Sequence, residues 1–211
     1  MVITQTKPVL RARECSCRTL GRYRRNLQRS GLASLAERYT LERFEEAELW
    51  QQRMKKAALL YLEEGCKEKR WFYLSGRPGC GKTHLCTALC TALAAQGLEL
   101  QYFKWIDGSL KLKSLVGDRA AYETAERPLL RCGALYIDDF FKLRPSEADL
   151  RLAMELVGRR YDEEKITIFS SERSLESLRK LDPALAGRIR ERCGLFALSA
   201  DGEGRDRRFA G

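Results

Sequence analysis

Gly76-Arg77-Pro78-Gly79-Cys80-Gly81-Lys82-Thr83 satisfies G-x-x-x-x-G-K-[ST] at every fixed position, and His84-Leu85 continues it into a helix-forming stretch. Immediately upstream lies a short apolar run, Trp71-Phe72-Tyr73-Leu74. A strand before and a helix after distinguish a phosphate-binding loop from a chance glycine-rich turn. The glycines let the backbone curl so that successive N–H groups point at phosphate oxygens, and the helix start adds its partial positive charge. In such a loop Lys82 reaches the β- and γ-phosphates and Thr83 offers its hydroxyl to Mg²⁺. The expected nucleotide-binding residues are therefore Gly76, Arg77, Pro78, Gly79, Cys80, Gly81, Lys82, Thr83 and His84.

Outward from the loop, strands and helices alternate. Helical patterning is expected near 82–96, 107–131 and 146–161, with two short helices between 174 and 192; strands are expected near 98–104, 134–138, 166–170 and 195–198. This alternation predicts an α/β fold, a three-layer P-loop nucleoside triphosphatase with a parallel sheet covered on both faces. Before the loop, Phe44, Ala47, Trp50, Met54, Ala57, Ala58 and Tyr61 recur at three- and four-residue spacing, which predicts an amphipathic helix packed on the core. The expected division is a short helical extension over 1–65, basic at its start, and an ATPase core over 66–211.

The apolar strand Ala134-Leu135-Tyr136-Ile137 runs into Asp138-Asp139, a Walker B pattern. Carboxylates at a strand end beside the loop suit a Mg²⁺-dependent phosphate site. Asp138 is expected to hold Mg²⁺ together with Thr83, and Asp139 to orient the attacking water. The strand that feeds the loop and the Asp138 strand are expected to be neighbours in the sheet. After the following strand comes Ser170-Ser171-Glu172; resemblance to the AAA+ class, where a polar residue at this place senses the γ-phosphate, implies Ser171 or Glu172 as the candidate sensor. Arg188, with Arg190 behind it, is the candidate arginine finger, a cation that neutralises charge on the transferred phosphoryl group from a neighbouring subunit. The expected catalytic set is thus Lys82, Asp139, Ser171 and Arg188.

Charge is concentrated at one end. The chain has 211 residues and a formal net charge of +10. Residues 1–30 hold eight Lys or Arg against one acid, Glu14, whereas residues 31–70 balance at eight of each. A basic arm favours nucleic acid or an acidic protein surface, although Tyr23 alone is available there for stacking. No uninterrupted apolar run approaches the ~18 residues of a membrane span, and the first residues lack the pattern of a secretory signal. A cytoplasmic protein with reduced thiols is expected. Cys15-Ser16-Cys17 is half of a zinc pattern at most, since no second pair has matching spacing and His84 is the only histidine.

Taken together, the ordered motifs resemble the DnaC/DnaI-type AAA+ replicative helicase loaders, grouped with IstB-type transposition ATPases. They run from Cys15-Ser16-Cys17 and Ser30-Gly31-Leu32 through the Tyr39–Phe44 segment and the phosphate loop. Ile137-Asp138-Asp139-Phe140, Ser170-Ser171-Glu172 and Leu185-Ala186-Gly187-Arg188-Ile189 complete the set. The resemblance implies an AAA+ core using ATP and Mg²⁺, with slow, partner-stimulated hydrolysis as a switch. It implies a hexameric replicative DNA helicase and single-stranded DNA as partners, contacted through the N-terminal extension, and ATP-dependent self-association through Arg188. Three positions depart from the family pattern: a single C-x-C, Glu172 where many relatives have Asn, and a short tail in which Arg207 or Arg208 is the sensor-like arginine. A transposition ATPase acting with a transposase on double-stranded DNA is the nearest alternative. A small-molecule P-loop kinase and a non-hydrolysing adaptor are the others.

Overall fold

The computed structural model describes residues 16–200. The thiols of Cys15 and Cys17 and the arginines Arg205, Arg207 and Arg208 lie outside what is described.

Five strands, β1 (Phe72–Ser75), β2 (Leu100–Lys104), β3 (Ala134–Asp138), β4 (Ile166–Ser171) and β5 (Ala197–Ser199), form one parallel sheet in the order β2-β3-β4-β1-β5. β1, β3 and β4 are buried at every position, because a parallel sheet is covered on both faces and its inner strands need apolar residues on each. Their side chains alternate between two cores. Phe72, Leu74, Tyr136 and Ile168 face α4 (Lys82–Ala95); Tyr73, Leu135, Ile137 and Phe169 face α5 (Trp105–Ser114), α7 (Glu147–Asp162) and α9 (Pro183–Cys193). α6 (Arg119–Arg131) packs beside α5 and α7, and α8 (Leu175–Leu181) precedes α9. The helical region expected over 107–131 is thus two helices, separated by a turn that Asp118 caps by accepting from the Ala121 N–H.

The extension belongs to the first core. α1 (Ser16–Ser30) and α2 (Ala33–Ala36) place Leu27, Leu32 and Ala36 in the same apolar cluster as Leu85 and Leu89 of α4. α3 (Leu49–Leu60) adds Met54 and Ala58. This helix begins five residues later than Phe44, because the Glu48 and Gln51 side chains close a capping box that starts it at Leu49. Phe44 is buried ahead of the helix. Beyond Leu60 the chain widens into a π-turn, Tyr61–Gly65, and the Tyr61 hydroxyl donates to the Arg70 carbonyl at 2.8 Å.

The expected neighbours β1 and β3 are not adjacent: β4 lies between them. Alternation of strands and helices does not encode lateral order. Here α4 packs across β3 and β4, so the chain leaving it reaches β2 on the far side of both. The consequence is local and chemical, because the end of β4 stands between the phosphate loop and Asp138. Among the described residues, no helix is long and apolar enough to cross a membrane.

Candidate nucleotide site

The loop joining β1 to α4 is shaped by positive φ angles at Gly76 (152°), Gly79 (79°) and Gly81 (89°). A Cβ at Gly76 would stand 2.8 Å from that of Ala200, and one at Gly81 would stand 3.1 Å from the Phe44 ring, so both positions need glycine for backbone and for space. Lys82 is buried, and its ammonium donates to the carbonyls of Gly76 (2.7 Å) and Arg77 (2.8 Å). The loop's one ammonium group is thereby held inside the curl of the backbone. The His84 side chain is engaged beside the loop: its Nε2–H donates to the Thr40 carbonyl at 2.8 Å, and its ring lies between Tyr39 and Phe44. It fastens the Tyr39–Phe44 segment over the start of α4.

Asp138, at the end of β3, is buried and collects hydroxyls. Oδ1 accepts from Thr83 at 3.2 Å, from Tyr136 at 2.7 Å and from Ser170; Oδ2 accepts from Tyr102 at 2.9 Å. Burial, reinforced by the Asp138 charge, pushes the Tyr102 phenol far above its ordinary range, and burial does the same to Tyr136, so both remain protonated donors. A hydroxyl and a carboxylate in contact at the start of α4 are hard oxygen donors, and the donor set fits Mg²⁺.

The turn after β3 is pinned in a conformation unusual for non-glycine residues, with φ of 54° at Asp139 and 51° at Phe141. Ser170 holds it: its Oγ accepts from the Asp139 N–H at 3.1 Å, and its carbonyl accepts from the Phe140 N–H at 2.8 Å. The Asp139 carboxylate accepts from Lys142 at 3.1 Å, and Glu172 stands 3.7 Å from the same ammonium. Ser171, the candidate sensor, has its hydroxyl committed elsewhere, donating to the Phe140 carbonyl (2.7 Å) and accepting from the Arg173 N–H (3.0 Å). Strand parity explains the exchange. Ser170 shares the α4 face with Ile168, while Ser171 follows Phe169 onto the other.

Arg188 lies on α9, with its guanidinium 6.0 Å from the Tyr161 ring centroid and a 3.4 Å bond to the Ala184 carbonyl. No bond among the described residues joins it to the loop of its own chain. The structure thus brings together Lys82, Thr83, Asp138 and Asp139, leaves Arg188 apart, and adds Ser170, Tyr102, Tyr136 and Lys142, which sequence reasoning missed. Parity within β3 could have found Tyr136; Ser170 and Tyr102 required the strand order and register.

The model of the IstB-like ATP-binding proteins matches residues 6–194. The chain belongs to that family. Among curated proteins it is 33% identical over 135 residues to phage-like element PBSX protein XkdC of Bacillus subtilis (strain 168), covering 61% of this chain and 50% of that one. It is 31% identical over 126 residues to the uncharacterized protein YqaM of the same strain, covering 57% and 39%. The chain therefore matches half or less of the length of these relatives. Solved structures with the same fold include DnaI (TM-score 0.64, 19% identity, 81% of this chain and 92% of that one). The DnaC helicase loader follows at TM-score 0.60, 24% identity, 72% and 86% coverage. AMPPCP-bound DnaA from Aquifex aeolicus has TM-score 0.62, 20% identity, 72% and 48% coverage. At these identities the likeness is one of fold alone, a parallel sheet covered by helices with the phosphate loop after β1.

Proposed function

We propose that the chain is an ATP-dependent helicase loader of DNA replication, which binds a replicative helicase and single-stranded DNA and uses ATP as its switch. The observation that carries the nucleotide half is the contact between Thr83 of the phosphate loop and Asp138 of the Walker B strand, with Lys82 and Asp139 beside them. Lys82 binds the β- and γ-phosphates once it leaves the loop carbonyls. Thr83 and Asp138 hold Mg²⁺, which when bound offsets charge on the phosphate oxygens. Asp139 orients the attacking water, and its bond to Lys142 restrains it until a partner arrives, which fits slow, partner-stimulated hydrolysis. Arg188 completes the site of an adjacent copy. The partner half rests on analogy to the DnaI and DnaC folds and on the cationic face of α1. Membership of the IstB-like ATP-binding family leaves a second reading, a transposition ATPase acting with a transposase on double-stranded DNA.

One experiment addresses both halves: capture of the host replicative helicase by the wild-type chain and by Lys82→Ala, with and without ATP, alongside titration of a fluorescent ATP analogue. Lys82→Ala is expected to weaken nucleotide binding by roughly a hundredfold, as loss of a buried charged partner does, and to remove the ATP dependence of capture. Unchanged nucleotide affinity would refute the site. Capture of transposase in place of helicase would decide for the second reading.

A further inference from the structure

The two oxygens of Asp138 are served unequally. Oδ1 accepts from Thr83, Tyr136 and Ser170, which uses its acceptor capacity, whereas Oδ2 accepts from Tyr102 alone among the described residues. Oδ2 is therefore the oxygen with a lone pair still available to a metal-bound water, and a single hydroxyl fixes it.

Tyr102 reaches that position because of the strand register. It pairs with Tyr136 across β2 and β3, which makes Asp138, two residues further along β3, its diagonal neighbour on the same face. Its ring packs against that of Tyr136 at 5.4 Å between centroids. On the other side it lies under the turn between α1 and α2, where a Cβ at Gly31 would stand 4.0 Å from the Tyr102 ring. The strand itself is held by Asn26 of α1. The Asn26 amide receives the Leu100 N–H at 3.0 Å and donates to the Leu98 carbonyl at 2.5 Å, as a neighbouring strand would. An unbroken run of contacts thus leads from α1 through the edge strand to the phenol and on to Asp138.

We propose that Tyr102 is a positioning residue of the Mg²⁺–nucleotide site, fixing the rotation of the Asp138 carboxylate through Oδ2 and linking that carboxylate to the seat of α1. The proposal rests on the nucleotide reading above. It differs from a packing role in a measurable way, since phenylalanine at 102 keeps the ring and removes only the hydroxyl.

The test compares the full wild-type chain with Tyr102→Phe and Tyr136→Phe. Mn²⁺ binding to the ATP-loaded chain is followed by electron paramagnetic resonance, and ATP binding in excess chelator by fluorescence. Tyr102→Phe is expected to weaken Mn²⁺ about tenfold, the usual cost of losing an outer partner of a metal ligand, and to leave metal-free ATP binding unchanged. Tyr136→Phe is expected to weaken Mn²⁺ less, because Oδ1 keeps the hydroxyls of Thr83 and Ser170. Unaltered Mn²⁺ affinity in Tyr102→Phe, an equal or larger loss in Tyr136→Phe, or a parallel loss of metal-free ATP binding would each overturn the proposal. A wild-type chain that binds no ATP would instead sink the nucleotide reading, and this proposal with it.

Discussion

Single side chains join helices that the sheet alone would leave independent. Arg160 of α7 is fully buried and gives its guanidinium to the carbonyls of Leu129, Leu130, Cys132 and Ile166 and to the Thr167 hydroxyl. It thereby satisfies the carbonyl end of α6, which a helix leaves without partners. Asp149 does comparable work at the start of α7. It accepts from the Ser146 N–H and hydroxyl at 2.9 and 2.6 Å and from Lys113 of α5 at 2.6 Å. Burial pushes its carboxyl up, but the bonds from Lys113 and Ser146 outweigh burial and leave it below the ordinary 3.8. A carboxyl depressed in the folded state adds stability that is complete above its unfolded value and fades as pH falls through the folded one. Asp149→Asn is therefore expected to cost about 1 kcal/mol at neutral pH, the worth of a capping group. In urea titrations the gap between the two proteins should shrink as pH falls below about 4. A gap that stays constant through the acid range would show that Asp149 acts by shape alone.

At the scale of elements, α1 is where charge obscured structure. Its arginines made residues 1–30 read as a basic arm, yet Leu20, Tyr23, Leu27 and Ser30 recur at helical spacing, and the last two are buried. The stripe was legible and narrow. The phosphate loop and the Asp138-Asp139 strand end were legible for the opposite reason, since their chemistry depends on residues adjacent in sequence. What sequence could not yield was lateral order: only the placement of β4 between β1 and β3 brings Ser170 to Asp138, and only the β2–β3 register brings Tyr102 there. The docked helix also changes how its charge should be tested. Removing residues 1–30 would uncover the edge of β2 and take Leu27 from the core, so lost binding would prove nothing about charge. Arg22, Arg25 and Arg29 instead border one cleft with Gly97 and Gln101 beside the edge strand. Replacing these three with glutamine should weaken single-stranded DNA binding and lower its salt slope by about two, given ~0.7 per phosphate contact. An unaltered slope would remove this face from the proposed DNA contact.

For the molecule as a whole, the decisive question is whether one chain holds a complete site. Lys82, Thr83, Asp138 and Asp139 converge at one end of the sheet, whereas Arg188 sits on α9, among the described residues without a carboxylate partner and bonded only to its own helix. A guanidinium placed against the Tyr161 ring keeps most of its donors for something outside the chain. If that target is a neighbour's nucleotide, the two functions separate genetically: Lys82→Ala empties its own site but still lends Arg188, and Arg188→Ala keeps its phosphate loop but has nothing to lend. Each variant alone should be nearly inactive, since loss of an arginine finger costs roughly a thousandfold or more in turnover. Their mixture should regain hydrolysis, because some interfaces then pair an intact loop with an intact Arg188. The measurement is ATP turnover across mixing ratios, at concentrations where light scattering shows the wild-type chain to associate. Recovery greatest near equal proportions is the expected result. A mixture no more active than its components would mean that Arg188 acts within its own chain or not at all.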